Sequence, residues 1–536
     1  MSAQMELYTA VVTASLSDNF YEKGNDRLAR IKALIAQNDP AFVAKLAVYA
    51  REKMYLRSVP VVLTVELAKI HRGDNLVSRL VSGVVQRADE ITELLSYYST
   101  VNERQGVKKL NGLSKQVQRG LAHAFNKFDE YQFAKYNRDA AITLRDALFL
   151  THPIAKNEAQ QAIFNKIVAR TLETPYTWET ELSALGQQKF QNEAQKTAAF
   201  QTKWEELIDS DKLGYMALLR NLRNILQANV SPKHIEKVCT RLADANEVAR
   251  SKQFPFRFLA AYRELLNETP NTMRVKSYAM KFGHNPPLSA SSQGMKTAIP
   301  TSGYPPSVLA TLEALKTNIS TAYIPSVLAA LEEAITASVV NMRGFGFTTN
   351  VTIACDVSSS MQQPISAKSS ILLYDIGLLL GMLMQSKCKN VETGMFGDRW
   401  KTITMPSNQV LSNVQEFFRR EGEVGYSTNG YLVIQDLLKR QVVKDKVMLF
   451  TDVQMWNSTG GNEHIGNLWS EYRKTVAPDA KLYLFDLAGY GNTPLDLQNA
   501  HNGVYLIAGW SDKIFDVLAA VEEGSDALKM INDIEL

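Results

Sequence analysis

An acid and two hydroxyls stand at alternate positions in TIACDVSSSMQQ (352–363): Asp356, Ser358 and Ser360, just where a short β-type run from Thr352 to Cys355 stops. A spacing of two puts their side chains on one side of an extended loop. One carboxylate with two hydroxyls suits a hard divalent cation such as Mg²⁺, which takes oxygen ligands near octahedral geometry and keeps some of its waters. The remaining oxygens must come from neighbouring strand ends. Asp452 in MLFTDVQMW is an acid just past an apolar run, and Thr428 in GYSTNGY lies in a Gly-flanked loop entering a helix near Gly430. Mg²⁺ is the first expectation; Mn²⁺ and Ca²⁺ accept overlapping donor sets. The competing reading is a set of polar strand ends in a metal-free domain.

Catalysis fits these residues poorly. A phosphatase of the haloacid dehalogenase kind wants a second acid two residues after the first, and Ser358 stands there. A serine hydrolase wants G-x-S-x-G, and DVSSSM lacks both glycines. A two-metal nuclease needs a denser acidic cluster than Asp356 and Asp452. The nearest histidine after Asp452 is His464, in a loop–helix stretch that offers no nucleophile–base pair. No catalytic residue is assigned.

The elements that must position these residues run through the back of the chain. Apolar strands are expected at 350–355, 391–396, 446–451, 481–486 and 503–508, with helices at 368–386, 408–420, 430–441, 464–475 and 512–523. Such alternation makes an α/β, doubly wound parallel sheet of Rossmann-like type, with helices on both faces. Ligands bind there at the carboxyl ends of strands, which is where CDVSSS falls. D-x-S-x-S, then a loop Thr, then a strand-end Asp resembles the metal-ion-dependent adhesion site. Residues 346–536 accordingly resemble a von Willebrand factor A domain. The resemblance implies a metal held by Asp356, Ser358, Ser360, Thr428 and Asp452, with one position open to a partner's carboxylate.

The front half is different. DPAFVAKLAVYAREKMYLRSVPVVLTVELAKI has apolar residues at helical spacing, with Asp39 as N-cap and Pro40 opening the helix. The pattern recurs to residue 270, as in GLSKQVQRGLAHAFNKF and SPKHIEKVCTRLAD, and suggests degenerate stacked helical pairs of HEAT or armadillo kind. A closer internal repeat joins YPPSVLATLEALKTNI (from Tyr304) to YIPSVLAALEEAITAS (from Tyr323). Residues 283–307 are rich in Pro, Gly and Ser and read as a loop. The period changes around MRGFGFTTN, so the expected boundary lies at 345/346.

The chain has 536 residues, 45% hydrophobic and 21% charged. That is globular composition with ample core. No run of about 18 apolar residues and no signal-peptide pattern is present, so no membrane partner is expected. Three scattered cysteines, Cys239, Cys355 and Cys388, read as free thiols in a reducing cytoplasm. The net charge of +4 hides an asymmetry: from residue 346 onward the chain carries −6, and the front carries +10. A basic front hints at a polyanion.

Four segments of that front resemble one family: YMALLRNLRNIL (215–226), LRDALFLTHP (144–153), AREKMYLRSVPVVLTVELA (50–68) and FPFRFLAAY (254–262). They are similar to the TROVE module of Ro autoantigen, telomerase-associated and vault-associated proteins. A TROVE module followed by a von Willebrand A domain is the Ro arrangement, and the whole chain resembles a bacterial or phage Ro ortholog. The resemblance implies a HEAT-like helical ring over 1–345 whose hole takes single-stranded 3′ ends of structured or misfolded RNA. It further implies an outer basic surface for a small noncoding Y-like RNA, a cytoplasmic monomer, and a link to an exoribonuclease such as polynucleotide phosphorylase in RNA quality control.

Basic grooves bind RNA phosphates while aromatics stack bases. The stretch 104–145 interleaves Arg104, Lys108, Lys109, Lys115, Arg119, Lys127, Lys135, Arg138 and Arg145 with Phe125, Phe128, Tyr131 and Tyr136. Outer-surface contacts are assigned to Lys115, Arg119, Lys135 and Arg145, and hole contacts to Arg220, Arg223, Arg274 and Lys276. His152 reads as a cap or packing residue rather than an RNA contact. Around NRDAAITL (137–144) the chain lacks a short family insertion with an aromatic and an RNA-contacting histidine, and Leu144 stands at the histidine's place; this weighs against specific Y RNA recognition. The alternative function is a metal-dependent protein-interaction module without RNA binding.

Overall fold

Asp39 and Pro40 open a helix in the computed structural model for the reasons their chemistry gives. Asp39 Oδ2 accepts the Phe42 N–H at 3.0 Å, and Pro40 occupies a first-turn position where a missing N–H costs nothing. The structure describes residues 3–13, 24–102, 113–137, 139–253, 255–266, 321–338, 348–364, 369, 371–406, 408–452, 465–487, 503–508 and 528–536. Contacts divide the chain into two units, Met1–Pro175 with Val339–Leu536, and Tyr176–Ser338.

In the first unit the helices are α1 (Ala3–Thr13), α2 (Gly24–Ala36), α3 (Pro40–Glu52), α4 (Ser58–Ile70), α5 (Leu76–Val84), α6 (Ala88–Val101), α7 (Lys115–Phe125), α8 (Glu130–Tyr136), α9 (Leu144–Thr151) and α10 (Glu158–Ala169). Their apolar faces meet in one core in which Val43, Leu63, Leu80, Leu94, Phe125 and Phe133 are fully buried. Ion pairs hold the α3–α4 turn against the start of α6: Arg51 meets Glu90 at 2.8 Å, and Arg57 meets Asp89 at 3.1 Å and Glu93 at 2.9 Å. Glu90 also accepts the Gln86 and Arg87 N–H groups, so this buried carboxylate has partners on several sides.

The second unit is helical throughout its described residues: α11 (Trp178–Gly186), α12 (Glu193–Asp209), α13 (Tyr215–Arg220), α14 (Leu222–Gln227), α15 (Pro232–Ala243), α16 (Ala245–Ser251), α17 (Pro255–Leu266) and α18 (Ile324–Ser338). The string YMALLRNLRNIL, read from periodicity as one helix, is broken at Asn221 (φ −109°, ψ 11°). Helical spacing alone would set Asn221 away from the face of Leu218, Leu219 and Leu222, yet it is buried, because its amide serves the break. It donates to Ala217 O at 2.8 Å and accepts from Asn224 Nδ2 at 2.9 Å. Met216 shares the helical spacing of the apolar residues but is 41% exposed. The second copy of the internal repeat forms α18; the first copy and the 283–307 loop lie outside the described residues.

The rest of the first unit is a six-stranded sheet: β1 (Asn350–Asp356), β2 (Asn390–Phe396), β3 (Trp400–Thr402), β4 (Lys446–Thr451), β5 (Lys481–Asp486) and β6 (Val504–Ala508), in the order β3-β2-β1-β4-β5-β6. Its helices are α19 (Leu373–Lys387), α20 (Leu411–Arg420), α21 (Tyr431–Arg440), α22 (Ile465–Thr475) and α23 (Lys529–Asn532). The five expected strands are there and run parallel; β3 is antiparallel, so the sheet is mixed. Gly377 lets α19 lie close on the sheet, for a Cβ there would stand 2.7 Å from Phe450 Cβ. The helix expected at 512–523 lies outside the described residues. At the chain's end, Leu528 and Ile531 join the core of the first helices, and Lys45 Nζ reaches Asn532 O on α23.

Candidate metal and nucleic-acid sites

Asp356 closes β1 and is wholly buried, as is Asp452 just past β4. The parallel register Cys355↔Phe450 sets these two strand ends side by side. Asp356 Oδ1 accepts the Ser358 N–H at 2.8 Å, which curls the loop into a 3₁₀ turn over Ser359–Gln362. Its Oδ2 accepts the Thr451 hydroxyl at 2.7 Å, and the Ser358 and Ser360 hydroxyl oxygens are 3.2 Å apart. Burial pushes the Asp356 carboxyl up to about 7, with the Asp452 charge adding to the rise; the bonds from Thr451 and Ser358 oppose it.

Thr428 is buried in a loop built against the end of β2, the other neighbour of β1. Gly397 O accepts the Asn429 N–H at 3.3 Å, and Asp398 Oδ1 accepts the Ser427 N–H at 3.2 Å. Gly425 sits at φ +75°, and a Cβ there would stand 2.0 Å from Asp398 Oδ2. The loop therefore needs a glycine twice over, for its backbone and for its space. Thr451, Asp398 and Gly425 were not singled out from sequence; the acid in FGD, two residues past β2, was the available signal.

The five expected ligands thus lie on three adjacent strand ends. Among the described residues no three His, Cys, Asp or Glu side chains gather into a metal cluster. A cation here would rest on two carboxylates and three hydroxyls. That all-oxygen set fits a hard divalent ion and not a soft one. His464 lies outside the described residues.

The basic residues fall into three groups. Lys115 and Arg119 are exposed one turn apart on α7. Exposed Lys135 on α8 stands 5.7 Å from the ring centres of Tyr131 and Tyr136. Arg145 on α9 donates to Val168 O at 3.0 Å and covers the exposed Phe149 ring at 5.1 Å. Arg220 is exposed at the end of α13, and Arg223 is exposed on α14, where it pairs with Glu264. Lys127 serves the fold: it caps α5 through Ser82 O and Val85 O. Arg104, Lys108, Lys109, Arg138, Arg274 and Lys276 lie outside the described residues.

Two of the expected stacking aromatics are corrected. Phe125 and Phe128 are buried against Phe133 at 5.8 and 5.7 Å, because the α7–α8 turn directs them into the core. His152 ends α9 in the left-handed region (φ 48°), its N–H donating to Leu148 O at 2.9 Å and its side chain exposed. Cys355 and Cys388 are buried and Cys239 half-buried, all as free thiols. No described helix is long and apolar enough to cross a membrane.

The TROVE domain model matches residues 13–203 and 170–345. Telomerase protein component 1 of Mus musculus is 27% identical over 342 residues, covering 48% of this chain and 12% of that protein. The Rattus norvegicus protein is 26% identical over 344 residues, covering 49% and 13%. The matched part is about an eighth of these relatives' length. The crystal structure of the Deinococcus radiodurans Ro (RSR) protein aligns with a TM-score of 0.59 at 17% identity, covering 97% of this chain and 99% of that one. That likeness is one of fold.

Proposed function

The chain belongs to the TROVE domain family, and on that premise we propose that it is a non-catalytic RNA-binding scaffold of a ribonucleoprotein. The observation that carries the reading is the set of cations on α7–α9: Lys135 and Arg145 lie over Tyr131 and Phe149, and α7 exposes Lys115 and Arg119. Cations next to accessible rings can neutralise phosphates and stack bases in one footprint. This surface would hold the structured part of a small noncoding, Y-like RNA, by backbone and shape. Arg220 and Arg223, with Arg274 and Lys276, would engage a single-stranded 3′ end in the hole of a helical ring.

The carboxylate–hydroxyl site gives the scaffold a second, protein-directed surface. Asp356, Ser358, Ser360, Thr428 and Asp452 would hold Mg²⁺, and the metal when bound supplies an electrophilic point for a partner's carboxylate. An exoribonuclease such as polynucleotide phosphorylase is the partner that RNA quality control in the cytoplasm would call for. In this reading residues 1–345 are the RNA module, 346–536 the metal-dependent module, and the protein is a monomer.

The test is equilibrium binding of a short duplex with a single-stranded 3′ tail, against the same duplex with a blunt end, across a salt series. Tail-dependent, salt-sensitive binding that falls when Arg220, Arg223, Arg274 and Lys276 are changed to Ala supports the reading. Equal binding of tailed and blunt RNA, unmoved by the substitutions, confines RNA to the outer surface. Absence of binding leaves the protein-interaction module.

A further inference from the structure

Within the second unit, α12, α14 and Leu182 of α11 border an open cavity of about 340 Å³. Its largest wall is one stripe of α12: Glu193, Lys196, Thr197, Phe200 and Trp204 recur at the three-, four- and seven-residue spacing of a single helical face. Trp204 is buried and stacks on Trp178 at 6.5 Å, so it gives a fixed apolar floor; Phe200 is half-buried beside it. Across the opening, α14 presents Asn224 and Gln227, both exposed. The Asn224 amide nitrogen donates to Asn221 Oδ1 at 2.9 Å, and its carbonyl oxygen is the group it has left to offer as an acceptor. Glu193 and Lys196 sit at the mouth, 3.4 Å apart as an exposed pair.

This combination is an apolar slot with planar amides and a carboxylate at one edge and an ammonium at the mouth. Its volume falls in the range of small-ligand sites, roughly 300–1,000 Å³. The ligand that matches is flat, aromatic, rimmed with donors and acceptors, and attached to an anion. We propose that the cavity receives one unpaired nucleobase of a bound RNA strand, its face against Phe200, its edge read by Asn224, Gln227 and Glu193, and its phosphate near Lys196. The inference rests on the RNA-binding reading above. It is tied to that reading by α14 itself, since Arg223 precedes Asn224 on the same short helix and Arg220 lies one residue before the Asn221 break. A strand whose phosphates follow Arg220 and Arg223 has the pocket within reach of a turned-out base, and recognition of a splayed base is the usual route to sequence preference in single-stranded RNA.

The experiment uses the full chain and the tailed duplex, with 2-aminopurine placed in turn at each tail position. Emission is expected to be quenched at one register by stacking in the slot. The double substitution Asn224→Ala with Gln227→Ala removes two exposed side chains; since Asn224 also donates to buried Asn221 Oδ1, thermal unfolding is followed in parallel, and Gln227→Ala alone is the variant that keeps that bond. The double variant should weaken tailed-RNA binding by roughly five- to a hundredfold, the scale of two lost hydrogen bonds. An abasic nucleotide at the quenched register should weaken wild-type binding by more than it weakens the double variant's, since the variant has already lost the edge contacts and keeps only the stacking. Uniform emission along the tail, with affinity unchanged in the variant but still lost on Arg220→Ala with Arg223→Ala, overturns the pocket and leaves the RNA-binding reading standing. Failure of the wild type to bind tailed RNA at all overturns both.

Discussion

Gly425 and Asp398 decide whether Thr428 can join a metal site. The glycine takes a left-handed backbone and lies so close to Asp398 that no side chain fits. Gly425→Ala is therefore expected to cost on the order of 1–3 kcal/mol through strain and displacement. The readout is thermal unfolding with and without Mg²⁺: the variant should lose both stability and the Mg²⁺-dependent shift, whereas Ser359→Ala, on an exposed neighbour outside the donor set, should keep both. Asp356→Ala should abolish the Mg²⁺ shift; an undiminished shift would remove the metal from these residues. The proposed donors could be picked out as a group because each oxygen follows an apolar strand or a glycine-flanked turn. Asp398 also follows an apolar strand, but its bond to the Ser427 amide, 29 residues on, leaves no local pattern that tells its role from a ligand's. Phe125 and Phe128 were misplaced on the surface because aromatic residues near cations look alike in sequence whether they stack on a base or on Phe133.

At the scale of elements, the break between α13 and α14 and the edge strand β3 are the two features that periodicity could not supply. Apolar spacing continues unbroken through Asn221, so only the buried amide reveals the break. Asn221→Ala should destabilise by about 1–3 kcal/mol, the cost of leaving the Ala217 carbonyl and the Asn224 amide without their buried partner. β3 is three residues long and half exposed, too short for alternation to register. It is tied down by Lys401, which meets Glu423 at 2.7 Å, while Arg420 meets Glu423 at 2.9 Å. The bonds from Arg420 and then Lys401 hold the Glu423 carboxyl at about 2. A carboxyl lowered on folding stabilises the protein above its unfolded value near 4.5, and that contribution is lost as pH falls from there toward 2. Glu423→Gln should therefore lower the melting temperature slightly at pH 7, by little because the group is exposed, with the difference from wild type closing as pH falls from about 4.5 toward 2.

For the molecule as a whole, contacts join the first helices to the C-terminal sheet. Residues Met1–Pro175 belong with Val339–Leu536, through α1 against β6 and α23 against α3. Leu528 and Ile531 complete a core begun some 480 residues earlier, at the level of Val43 and Leu46. Deleting residues 528–536 should lower the unfolding temperature of the helical part as well as the sheet, read by far-UV circular dichroism; a change confined to the C-terminal half would contradict this. The sheet was readable because continuous apolar strands between helices admit few topologies. The contact between the chain's ends was not, because no local pattern records which surfaces of two amphipathic helices will meet.

The central claim, that this TROVE-family chain is an RNA scaffold with a separate place for the single-stranded end, is tested most directly by crosslinking. A duplex carrying 4-thiouridine in its 3′ tail would be irradiated on the full chain and the modified peptides sequenced. The account expects tail crosslinks within 193–227, around Arg220, Arg223 and the α12–α14 cavity, lost when the tail is removed. Tail crosslinks confined to 115–149, or none at any salt concentration, would contradict it.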